Sequence, residues 1–118
     1  MRRRRFVQLG LNGCLVMPLA ASASDDRPDP LAVLRDLVGE PRRAEAIGRS
    51  CLDAGLVSPA TARAFVAEIS RDAGDRRSVE GRFHRHRQDD FTAGRLRSLR
   101  GWQLAESEVR AFAALALA

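Results

Sequence analysis

Residues 29–74 read "DPLAVLRDLVGEPRRAEAIGRSCLDAGLVSPATARAFVAEISRDAG". Pro30, Pro41 and Pro59 each stand at the head of an apolar periodicity. Proline suits the first helical position: its missing N–H would have no intrahelical partner, and its fixed φ is already helical. Asp29 and Ser58, immediately before two of these prolines, supply capping oxygens. Leu31, Leu34, Leu37 and Val38 then follow at helical spacing, and Gly39 stops the first segment. In the second segment Ala44, Ile47, Gly48, Cys51 and Leu52 fall at i, i+3, i+4, i+7 and i+8, and Gly55 ends it. Gly48 costs that helix about 1 kcal/mol against alanine. The compensating benefit is close approach to a neighbouring helix. Ala62, Phe65, Val66 and Ile69 make the third stripe, with Gly74 after its end. Three helices joined by short links predict antiparallel packing in a small bundle.

The pattern becomes harder to read after Gly74. "DRRSVEGRFHRHRQDD" (75–90) is very polar, and Val79, Phe83 and Phe91 are the anchors expected for a helix from about Ser78 to Ala93, closed by Gly94. From Arg95 the period changes. "RLRSLRGWQL" (95–104) places Arg100-Gly101 between two short segments, which predicts a hairpin, although arginine is not an ideal first turn residue. A last helix from about Glu106 carries Val109, Phe112, Ala113, Leu115 and Ala116, with Glu106 and Glu108 placed to suit its dipole. The expected fold class is therefore mainly α: a small bundle of three to five helices with one short β-hairpin near the C-terminus.

The N-terminus has a different grammar. Arg2–Arg5 precede a mostly apolar stretch, Phe6–Leu19, and then small residues, Ala20–Ser24. That order reads as a cleavable export signal, with Ala21 and Ala23 as the small residues at the cleavage site. Its longest apolar run, Cys14–Ala21, contains Pro18 and is far short of the roughly 18 residues a membrane helix needs, so no permanent anchor is expected. Arg3, Arg4, Phe6 and Val7 read as R-R-x-F-hydrophobic, which resembles the twin-arginine (Tat) export signal of bacteria. Arg2 and Gln8 depart from that pattern, where serine or threonine and lysine are usual. An ordinary Sec signal, a basic nucleic-acid arm and a lipoprotein signal at Leu11–Cys14 are the competing readings. The apolar stretch argues against the arm, and the position of Cys14 before most of that stretch argues against the lipoprotein signal. The resemblance implies a periplasmic or secreted protein whose partners in export are the Tat translocase and a signal peptidase. The expected organisation is a signal at 1–23, a linker at 24–29 and one helical domain at 30–118.

Removing the signal changes the charge argument. The chain of 118 residues has 20 basic residues, all arginine, and 15 acidic ones, net +5. The signal holds four of those arginines and no acid, leaving 16 against 15. A globally basic nucleic-acid binder is not implied. One cysteine, Cys51, remains, so an internal disulfide is excluded, and its place on an apolar stripe predicts burial and an inert thiol.

The strongest functional signal beyond the export segment is Arg76–Arg100, which holds eight arginines, three acids and both histidines. Arg82, Arg85, Arg87 and Arg95 are candidate contacts to an anion or partner, since guanidinium forks bind carboxylate or phosphate bidentately. The bland alternative is a solvated helix face paired with Glu80, Asp89 and Asp90. His84 and His86 diverge by about 200° on a helix, which disfavours a metal site, and no cofactor motif occurs. Trp102, beside a glycine at the turn, is expected to cap the core; exposed, it would instead anchor an interface. Asp90, Phe91, Gly94, Arg95, then Gly101, Trp102 and Leu104, then Glu108 and Arg110 form a D-F-x-x-G-R, G-W-x-L, E-x-R pattern. It is similar to the C-terminal pattern of small Tat-exported bacterial proteins of unassigned function. The resemblance implies no activity. The expected role is an accessory protein of a larger co-exported enzyme, with an anion-binding module through Arg76–Arg100 as the alternative.

Overall fold

The computed structural model describes residues 27–118; the readings of Arg3, Arg4, Phe6, Val7, Ala21 and Ala23 lie outside them. Among the described residues, five helices and one hairpin follow in order: α1 Pro30–Val38, α2 Pro41–Asp53, α3 Pro59–Ser70, α4 Arg76–Ala93, β1 Leu96–Leu99, β2 Trp102–Ala105 and α5 Glu106–Leu117. The fold is mainly α with a short antiparallel hairpin near the C-terminus.

The three proline starts behave as their chemistry predicts. Asp29 Oδ1 accepts from Leu31 N at 3.1 Å, and Ser58 Oγ accepts from Thr61 N at 3.1 Å. The fourth helix starts at Arg76, two residues before the position expected, because Asp75 takes the cap: its carboxylate accepts from Ser78 N at 2.9 Å and from Ser78 Oγ at 2.7 Å. Those bonds hold the Asp75 carboxyl below its usual pKa.

Helix α5 is the organising element, packed most extensively on α2 and next on α3. One part of the core gathers Leu34, Phe65, Ile69, Val79, Phe83 and Leu115. The other gathers Cys51, Val57, Ala62, Leu104, Val109 and Ala113 beneath the hairpin. Gly48 lies at the α2–α5 crossing, where a Cβ would overlap the backbone carbonyl of Phe112. The glycine expected to permit close approach does so.

Two expected core anchors prove to be exposed. Phe91 is 49% exposed, and Asp90 is buried in its place. At 100° per residue Asp90 continues the Val79–Phe83 stripe, whereas Phe91 points well off it. Trp102 is 72% exposed. In the hairpin, Leu96 pairs with Ala105, Arg97 with Leu104, Ser98 with Gln103 and Leu99 with Trp102. Arg97, Leu99, Trp102 and Leu104 therefore share a face. Leu104 sits over the core, while Trp102 stands two residues, about 7 Å, further toward the turn and overhangs it.

Candidate interaction surface

The polar chemistry of the C-terminal segment is largely spent on holding the fold. Asp90 Oδ1 accepts from Arg95 Nε at 2.8 Å, and Oδ2 accepts from Ser107 N at 2.7 Å. Asp90, borrowed from α4, thus caps the first turn of α5, where Ala105 at the cap position has no oxygen to offer. The Ala105 N–H donates to Glu108 Oε1 at 2.9 Å. Burial pushes the Asp90 pKa up, but hydrogen bonding from Ser107 and Arg95 and the guanidinium charge outweigh it and hold the carboxyl below its usual value. The Ser107 hydroxyl is buried without a partner at good geometry, so the bond to Asp90 belongs to the backbone N–H.

The candidate arginines are spread out and mostly engaged. Arg82 donates to the Ile69 and Arg71 carbonyls and closes the end of α3. Arg87 lies on the other side of α4, 3.8 Å from Glu108 and 5.8 Å over the Phe83 ring. Arg95 holds Asp90 at 2.8 Å. Arg76 bridges Asp36 at 2.7 Å and Glu80 at 3.1 Å, and Arg97 reaches Glu106 at 3.7 Å. Arg85 is exposed, with no ion pair among the described residues. Of the expected local acids, Glu80 and Asp90 pair as anticipated, yet Asp90 is a buried latch and not part of a solvated face.

His86 places Nε2 3.2 Å from Glu68 and packs edge-on against Phe65, with ring centroids 5.3 Å apart. His84 is exposed and leans on Phe83 at 6.0 Å. Among the described residues no three His, Cys, Asp or Glu groups converge to hold a metal. Cys51 is fully buried, and burial raises its thiol pKa, which disfavours the nucleophilic thiolate.

Beside the hairpin lies an open surface with little internal charge pairing. A groove of about 510 Å³ runs between α2 and the strands. Helix α2 contributes Ala46, Ile47 and Ser50, with Arg43 at one end. The hairpin contributes Leu99, Leu104 and the Trp102 wall, with Arg100 at the turn. Arg100 and Gly101 have φ of 50° and 85°, the positive values that a type I′ turn requires at both central positions. A second cleft of about 440 Å³ includes Glu40, Arg43, Arg87 and Glu108. Its charges neutralise one another, through Glu40–Arg43 at 3.3 Å and Arg87–Glu108 at 3.8 Å. Sequence reasoning singled out Trp102 and, within Arg76–Arg100, included Leu99 and Arg100, but missed Arg43 and Ile47. Ile47 was absorbed into the core stripe, and no local signal tells that the far side of that stripe opens under a hairpin.

Comparisons with protein-family models, with curated proteins and with solved structures find no match to this chain.

Proposed function

We propose that this is an exported accessory protein, a small subunit, escort or maturation partner that binds a larger enzyme in the periplasm. The export half rests on the sequence of residues 1–23, through Arg3, Arg4, Phe6 and Val7 for recognition and Ala21 and Ala23 for cleavage. A Tat signal carries folded cargo, which explains how a protein with no cofactor motif would travel by that route: bound to a partner that needs it. The binding half is supported by one observation above all. Trp102, the sole tryptophan, stands 72% exposed on a hairpin that is anchored in the core through Leu104 and Ala105. Tryptophan is the residue most enriched at energetically dominant interface positions.

The test replaces Arg3-Arg4 by Lys-Lys and follows export, alongside isolation of the wild-type protein from the periplasm. The expected result is loss of export in the variant, with simultaneous loss of a second exported protein that co-purifies with the wild type. A monomeric wild-type protein with no companion rejects the accessory role.

A further inference from the structure

The chemistry of the groove defines the kind of segment it receives. We propose that the slot between α2 and the hairpin binds an apolar segment flanked by acidic residues. The source of that segment, a larger protein partner, rests on the accessory reading; its chemistry rests on the groove alone.

Three observations carry the assignment. Ile47 and Leu99 are half-buried and Leu104 is buried at the foot of the slot, so its floor excludes water only when an apolar side chain fills it. Trp102 forms the wall, a large rigid surface that loses little entropy on contact. The charged groups lining the slot are Arg43 and Arg100, with no carboxylate between them. Arg43 also rests on Glu40 one turn earlier at 3.3 Å, but both side chains are mostly exposed, and such a pair is weak and readily exchanged. Arg100 lines the slot from the turn despite a φ of 50°, a conformation that disfavours any residue with a Cβ.

Charge also decides between occupants. A second copy docking through this face about a two-fold axis would lay a surface whose charged lining groups, Arg43 and Arg100, are both cations against itself, a like-charge arrangement. An acidic–apolar segment instead meets two forks suited to carboxylates.

The experiment uses the full chain and the emission of Trp102, which is unobscured because there is no other tryptophan and no tyrosine. The probe is a synthetic peptide of about 14 residues with leucines at helical spacing and flanking glutamates, free of aromatics; its twin carries lysines for the glutamates. The glutamate peptide is expected to give a saturable blue shift that weakens with salt, and the lysine twin to bind at least about tenfold more weakly. Because arginines elsewhere also attract acids, the decisive variant is Arg43→Glu with Arg100→Glu, which should reverse the preference. No shift, equal binding of both peptides, or an unreversed preference overturns the proposal. So does a shift that grows with protein concentration alone, which identifies a second copy. A shift seen only with anionic lipid vesicles overturns it in favour of a membrane surface. The two readings fail separately. A natural partner that still binds the double variant overturns the slot and leaves the accessory role. Charge-reversible peptide binding in a protein that has no partner does the opposite.

Discussion

Helix α2 meets the rest of the protein along two neighbouring strips that are built in opposite ways. Toward α5, Ala44, Gly48 and Cys51 are buried and the backbones approach so closely that a methyl group at Gly48 has no room. Toward the hairpin, Ala46, Ile47 and Ser50 border a groove whose wall, Trp102, is mostly exposed. The first strip is finished within the chain. The second has an apolar floor and two cations, of which Arg43 has only an exposed pair with Glu40 at 3.3 Å and Arg100 has no ion pair among the described residues. Side chains on one helix can therefore be assigned to folding or to binding according to what already fills the space opposite them.

The closed strip breaks most easily. Gly48→Ala must push α5 away at the Phe112 carbonyl, and it is expected to cost at least about 3 kcal/mol in chemical denaturation. Recovery of wild-type stability would show that the crossing is looser than described.

The Asp90 latch, which joins α4 to α5 behind the hairpin, comes next. Asp90→Ala leaves the Ser107 N–H without its acceptor and should cost about 2 kcal/mol. Asp90→Asn tests the charge. The folded-state pKa lies below the unfolded value of about 3.9, so the stabilisation is complete above that value and is lost as pH falls through the folded-state value. Denaturation across a pH series should show wild type more stable than Asp90→Asn near neutrality, with the two converging in strong acid. A gap independent of pH would mean that the carboxylate charge is not the source.

On the open strip the signs change. Arg100→Asn relaxes a left-handed turn position and should gain up to about 1 kcal/mol, while weakening binding of the glutamate peptide. Trp102→Ala should alter stability by less than about 0.5 kcal/mol yet abolish binding of that peptide by calorimetry. If Trp102→Ala instead unfolds the protein, the contrast between the strips disappears.

The helices were legible because their start signals are local. Asp29-Pro30, Ser58-Pro59 and the 3.6-residue stripes act within a few residues of themselves, and the Arg100-Gly101 turn is equally short-ranged. The exposed aromatics were not legible. Phe91 and Asp90 are adjacent, and only the rotation of α4 against its neighbours decides that the carboxylate goes inward to serve a helix end 17 residues away. The arginines of residues 76–100 looked like one basic patch because sequence proximity resembles spatial proximity. On a helix, Arg82 and Arg87 point to different partners, the end of α3 and Glu108 of α5.

By itself the sequence determined the start points of the three proline-headed helices and of the last helix, the hairpin turn, the close approach at Gly48 and the burial of Cys51. All of these follow from backbone conformational limits and apolar periodicity, which are properties of short segments. Tertiary structure alone decided that Asp90 is a buried latch, that most of the central arginines are already engaged, and that Trp102 overhangs an apolar groove. Those outcomes depend on which surfaces of separate elements meet, and the free energy of burial is settled only when both surfaces are in place.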